Sequence, residues 1–151
     1  MRGCCLLFFL ELWRLSASLP EIFVINLERR SDRRDFIRHQ FQRFNISQFQ
    51  FVEAVDHETH KVLIDFYWDG DNRTQAINAS PGARACFLSH IRALRQFLLT
   101  DKPTGIIMED DALFHKDFVE KTEEIIKIYG NADVLLLSAF IEGRMEAKAV
   151  G

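Results

Sequence analysis

Three consecutive carboxylates, Glu109-Asp110-Asp111, follow the apolar run Gly105 to Met108. Adjacent like charges repel, and a bound cation relieves that repulsion. In extended backbone alternate side chains point the same way, so Glu109 and Asp111 are expected to converge on one metal while Asp110 faces elsewhere. Oxygen-only ligands suit Mn²⁺ or Mg²⁺, above all when a diphosphate completes the shell. The plainer alternative is a solvated acidic loop in which Asp111 caps the next helix.

Two further segments carry chemistry. Asn26 to Arg34 holds four arginines, at 29, 30, 33 and 34. Guanidinium forks and helix N-terminal amides are matched to phosphate, whereas Arg33 and Arg34 could equally form surface pairs along a helix. From Gly82 to His90, small residues open a helix and allow close backbone approach, with Ser89 and His90 as donors one turn inside it. Taken alone, His90 reads as a structural histidine and Cys86 as a small core residue rather than a nucleophile. His57-Glu58-Thr59-His60 has the wrong spacing for the HExxH zinc motif. His39 and His115 fall on helical patterns without partners, and Trp68 reads as a core plug or as one wall of a sugar site.

The elements that must position these groups follow from periodicity. Ile22 to Leu27 is a short apolar run, expected as a strand buried on both faces. Ser31 or Asp32 is placed to cap a helix in which Ile37, Phe41 and Phe44 share a face. Phe49 to Val55 reads as a second strand and Asp69 to Asn72 as a turn or loop. Gly82 to Thr100 reads as a helix with Phe87, Ile91, Leu94 and Leu98 on one face. Gly105 to Met108 is a brief strand, Phe114 to Tyr129 a helix ended by Gly130, and Val134 to Leu137 another buried strand. Strands alternating with helices predict an α/β fold with a mainly parallel sheet, and all three charged segments lie where such sheets bind ligands, beside strand ends.

Composition narrows the classes. The chain has 151 residues, a net charge of −3 from 19 basic and 22 acidic side chains, 14 Phe, 7 Gly and 3 Pro. One domain of that size buries a sizeable core, so disordered and low-complexity classes are excluded. Mild acidity argues against nucleic-acid binding, which needs excess Lys and Arg against the phosphates. Residues 1–19 have a basic start, an apolar stretch and the small residues Ser16-Ala17-Ser18, the pattern of a secretory leader. Membrane association is expected only if that leader stays uncleaved. Cys4 and Cys5 fall in it, which leaves Cys86 alone and no internal disulfide. Asn45, Asn72 and Asn78 each begin an N-x-S/T acceptor, which favours glycosylation in the endoplasmic reticulum lumen.

Four segments in order, INLERRSDRR (Ile25 to Arg34), VEAVD (Val52 to Asp56), CFLSHIRAL (Cys86 to Leu94) and IIMEDDA (Ile106 to Ala112), resemble glycosyltransferase family 25. That family includes the collagen hydroxylysine galactosyltransferases and bacterial lipopolysaccharide galactosyltransferases. The resemblance implies a Rossmann-like glycosyltransferase A fold, with residues 20–151 as the donor-binding portion. It implies UDP-galactose as donor, Mn²⁺ (or Mg²⁺) held by Glu109 and Asp111, and Asn26, Arg30, Arg33, Ser89, His90 and Asp110 about the nucleotide sugar. The signal-like start and acceptor asparagines point to hydroxylysine of collagen-like protein as acceptor, with a lipopolysaccharide or other glycan, or a non-transferring binding module, as alternatives. Inversion at the sugar, as the family implies, requires a base for the acceptor hydroxyl, and no residue is assigned to it. Ala85 stands where the family usually has glycine. Family members continue past the strand matched by Val134 to Leu137, and Glu142 to Lys148 read as a helical tail or a fragment end.

Overall fold

A computed structural model describes residues 19–68, 80–139 and 145–150. The chain divides into two compact units, one of Pro20–Leu113 and one to which Phe114–Gly151 belong.

The first unit is built on β1 (Glu21–Asn26), β2 (Phe49–Glu53) and β3 (Gly105–Glu109), all parallel in the order β2-β1-β3. β1 is central and its residues from Ile22 to Asn26 are buried, as the unbroken apolar run predicts. Phe23 and Ile25 lie on one face, in a core with Val52, Ala54 and Ala93, against which Phe97 and Ile107 pack. Ala93 and Phe97 come from α3 (Pro81–Leu98), which covers that face. Ile22 and Val24 alternate to the other face, and Phe49 pairs with Ile22 in the ladder. There the ring of Phe41, on α1 (Ser31–Arg43), sits 4.5 Å from that of Phe49. The result is the helix-sheet-helix layering expected of parallel strands joined by crossovers.

Gly105 opens β3 under the ring of Phe97, and an added Cβ would lie 2.6 Å from Phe97 Cδ2. Because that ring is packed edge-on against Phe23, it has little room to retreat. Gly105→Ala is therefore expected to lower stability by about 1–3 kcal/mol, the usual range for overpacking. A urea midpoint unchanged from the parent would show that Phe97 gives way freely.

Several expectations need correction. Neither Ser31 nor Asp32 caps α1; Arg30 is the N-cap residue and makes no side-chain capping bond, and Asp32 instead accepts from the Arg30 guanidinium. Phe44 lies beyond the helix as its C-cap. An additional helix, α2 (Lys61–Trp68), had no counterpart in the periodicity; it carries Trp68. Trp68 packs with Leu63 on the cluster of Val55, Ile64, Ala85 and Leu88, its ring 5.6 Å from that of Phe87. Ala85 is buried in the same cluster, where its methyl fills space between α2 and α3. The expected turn at Asp69 to Asn72 lies outside the described residues.

In the second unit α4 (Phe118–Tyr129) begins four residues later than expected. The amide of Phe118 donates to the carbonyl of His115 in a preceding turn, and Phe114 stacks on Phe118 at 4.3 Å. β4 (Val134–Ala139) pairs antiparallel with β5 (Met145–Val150), so residues 145–148 are strand rather than helical tail.

Candidate functional site

The C-terminal ends of the three parallel strands bring the charged segments together. Asn26 closes β1, Asp56 follows β2, and Glu109 closes β3. A cleft of about 250 Å³ opens there. Ile25, Leu27, Ala54 and Val55 form its apolar part, the start of α3 contributes Gly82, Ala85, Cys86 and Ser89, and the polar lining is Arg29, Arg33, Asp56, His57, Glu109 and Asp110.

Asn26 organises one side from below. It is 1% exposed, and its Nδ2 donates to the carbonyl of Arg30 (3.1 Å) and to Asp110 Oδ2 (2.7 Å), while Oδ1 accepts from Arg34 Nε (2.9 Å). Both amide hydrogens are therefore spent within the chain. Asp110, also buried, takes a second bond from Arg33 Nη1 at 2.8 Å, and the same nitrogen reaches Asp111 Oδ2 at 3.2 Å. Gln40 on α1 donates to the carbonyl of Ala112 at 2.7 Å, which pins the end of this loop. Across the cleft, Arg29 Nε donates to Asp56 Oδ2 at 2.7 Å, and the amide of Glu58 donates to Asp56 Oδ1. The guanidinium beside it, together with that amide, holds the Asp56 carboxyl below the ordinary range. Each guanidinium is anchored through part of its five-donor fork, Arg29 by Nε and Arg33 by Nη1, and both residues line the cleft.

Glu109 has a different environment. Its Oε1 lies 3.2 Å from His90 Nε2 and 3.7 Å from Cys86 Sγ, both on α3. Burial, followed by the Glu109 charge, pushes the Cys86 thiol up from its ordinary value. Ser89 is buried beside them, accepting from the amide of Val55 and donating to the carbonyl of Ala85.

The three carboxylates take different partners, Asp110 and Asp111 meeting Arg33 while Glu109 meets His90 and Cys86. β3 ends at Glu109 and the backbone turns at once, the amide of Ala112 reaching the carbonyl of Glu109 at 3.4 Å. Strand alternation lapses there, and Asp110 and Asp111 swing together onto Arg33. Among the described residues, the group of three whose ligand atoms lie within 4.8 Å of one another is Cys86, His90 and Glu109. With Asp111 paired to Arg33, and Glu109 beside sulfur and imidazole, these residues as arranged do not fit an all-oxygen Mn²⁺ or Mg²⁺ shell.

Of the expected donor-binding residues, Arg33, Ser89 and Asp110 line the cleft. Asn26 lies beneath it, His90 stands behind Glu109, and Arg30 is closed in a two-bond fork on Asp32, which holds that carboxyl down at about 2. Arg29, one of the four arginines matched to phosphate, also lines the cleft, and Asp56 and His57 are cleft residues to which sequence reasoning gave no ligand-binding role; a charged pair just past the end of a strand was the available signal. His39 bonds the carbonyl of Asp35 within α1, and His115 lies 3.5 Å from Asp117. Asn45 is exposed just past α1 with φ 54°, while Asn72 and Asn78 lie outside the described residues.

A parallel sheet flanked by helices, with a charged cleft outside its strand ends, is the architecture of a Rossmann-like glycosyltransferase fold. Residues 19–149 match the model of glycosyltransferase family 25 (LPS biosynthesis protein), and the chain belongs to that family. It is 30% identical over 118 residues to the Acanthamoeba polyphaga mimivirus protein named putative glycosyltransferase R655, covering 78% of this chain and 36% of that protein. It is 30% identical to human procollagen galactosyltransferase 2 over 128 residues, covering 75% of this chain and 18% of that enzyme. The mouse protein of the same name is 28% identical over 120 residues, with 71% and 18% covered. The chain thus spans about a third of the viral relative and under a fifth of the mammalian ones. Among the described residues no helix is long and apolar enough to cross a membrane.

Proposed function

We propose that this chain is the donor-binding portion, residues 20–151, of a galactosyltransferase that moves galactose from UDP-galactose to a hydroxyl acceptor, hydroxylysine of collagen-like protein. The observation that carries the reading is the pair of carboxylate-anchored guanidiniums, Arg29 and Arg33, on the walls of a cleft at the strand ends. Departure of UDP builds negative charge on the diphosphate, and fixed guanidinium donors stabilise that charge most as it develops. Anchoring by Asp56 and Asp110 sets both forks before the ligand arrives, so little reorganisation opposes binding. The relatives named procollagen galactosyltransferase 2 support the sugar and the collagen-type acceptor. They also favour passage through the secretory pathway, with residues 1–19 as leader and Asn45, Asn72 and Asn78 as acceptors in the endoplasmic reticulum lumen. The second reading, transfer to a lipopolysaccharide or other glycan, is favoured by the family description.

The test is calorimetric titration of UDP-galactose into the 151-residue chain, in Mn²⁺ and again in EDTA, beside a Glu109→Ala/Asp111→Ala variant. Saturable one-to-one binding is expected. Binding that needs both Mn²⁺ and the two carboxylates would mean that the ligand draws Asp111 off Arg33 to complete an oxygen shell. A folded chain that takes no UDP-galactose in either buffer would sink the proposal and leave a binding module of the same fold. Incubation with labelled donor and hydroxylysine peptide, or a glycan acceptor, separates the two acceptor readings.

A further inference from the structure

Cys86 and His90 lie one turn apart on α3, so their side chains leave the same helix face. The β1–β3 ladder sets Glu109 opposite Ile25 and carries its carboxylate to that face. Zinc binds imidazole nitrogen and carboxylate oxygen at about 2.0 Å and thiolate sulfur at about 2.3 Å, in a tetrahedron. That geometry separates nitrogen from oxygen by about 3.3 Å and sulfur from oxygen by about 3.5 Å. The spacings here are 3.2 Å from His90 Nε2 to Glu109 Oε1 and 3.7 Å from Cys86 Sγ to the same oxygen. Both edges that meet at the Glu109 oxygen thus lie within about 0.2 Å of a tetrahedral shell, and all three ligand atoms lie within 4.8 Å of one another.

We infer that Cys86, His90 and Glu109 form a three-ligand site for a borderline divalent cation of the Zn²⁺ class, with its fourth position open toward the cleft. A sulfur-nitrogen-oxygen donor set selects zinc or cobalt over the hard ions manganese and magnesium. Cys86 and Glu109 both line the cleft, so the fourth position faces it and takes water or a ligand oxygen. Three protein ligands with one open position distinguish such a site from closed structural zinc centres. On binding, the Cys86 S–H bond is replaced by a sulfur–metal bond and the proton passes to solvent. The inference does not depend on the galactosyltransferase reading, because the metal alone is the probe.

The experiment titrates Co²⁺ into the full chain carrying Cys4→Ser and Cys5→Ser, so that Cys86 is its single thiol. One equivalent is expected to bind with a thiolate-to-cobalt charge-transfer band that Zn²⁺ abolishes by displacement. Adding Cys86→Ser is expected to remove the band, His90→Ala to weaken binding at least tenfold, and Asp111→Asn to change neither. All three ligand side chains are at the surface or half-buried, so these variants should fold, and circular dichroism checks that they do. X-ray absorption at the zinc edge of the single-thiol chain needs no ligand variant, and one sulfur at about 2.3 Å is expected. A shell of nitrogen and oxygen alone, a band that survives Cys86→Ser, or a loss on Asp111→Asn as large as on His90→Ala would each overturn the inference.

Discussion

Asn26→Leu is expected to lower folding stability by about 2–4 kcal/mol, the cost of orphaning buried polar groups around one side chain. Leucine keeps the branched skeleton of asparagine but carries bulkier methyl groups, so some overpacking adds to the loss of hydrogen bonds. What disappears is the donor to Asp110, the donor to the Arg30 carbonyl and the acceptor for Arg34 Nε. Asp110 retains Arg33, so the loss falls short of a stranded charge. Asn26→Asp separates shape from hydrogen bonding. It keeps the shape but places a carboxylate oxygen where an amide now sits 2.7 Å from Asp110 Oδ2, and it should cost at least as much at neutral pH. Acidification that protonates the new carboxylate should recover part of that loss. Urea denaturation at two pH values reads both effects, and a change below about 1 kcal/mol for either variant would show that Asn26 does not organise the loop.

The second large effect concerns the donor. Arg33→Ala is expected to weaken UDP-galactose binding by about ten- to a hundredfold, equivalent to about 1.5–3 kcal/mol for a charge-assisted hydrogen-bonding group. Arg33→Lys should restore part of the affinity, as a point charge replaces a planar fork. Arg30→Ala is the contrasting variant. Arg30 is the same residue type three positions away, yet its fork is closed on Asp32 and it lies outside the cleft lining. Its removal should shift affinity less than threefold, within the range of exposed ion pairs. Calorimetry in which Arg30→Ala loses more affinity than Arg33→Ala would reverse this assignment and place the nucleotide on the outer side of the loop.

The parts of this molecule that could be read from its amino acids are those governed by local pattern. Ile22 to Ile25 and Gly105 to Met108 announce strands because nothing polar interrupts them, and parallel pairing follows from the helices between. α2 escaped notice because Val62 to Trp68 is apolar on nearly every side and lacks the polar half that marks an amphipathic helix. Met145 to Val150 is made mainly of helix-favouring residues, and pairing with β4 overrides that preference. At the site, strand alternation ends with Glu109, and the turn that follows sets Asp111 beside Arg33, a placement that local pattern does not specify. Cys86 and His90 were visible as an i,i+4 pair, but their third partner, 19 residues beyond His90, is supplied by the β1–β3 ladder and by no local signal.

The central position of β1 also sets an order of events in time. One flank is completed by β2, 27 residues downstream at the Arg29–Asp56 pair, but the other waits for a strand whose first contact with the site, Asn26 to Asp110, spans 84 residues. A nascent chain emerging from the ribosome can dock its first two strands early, yet Glu109 and Asp110 reach the cleft only once the chain has been made through the end of β3. Closing so long a loop carries an entropic cost that only the finished contacts repay, so the binding residues assemble in the last folding step of this unit rather than the first. Substitutions at the start of β3, such as at Gly105, should therefore slow maturation of the site more than they disturb the β1–β2 half that precedes it.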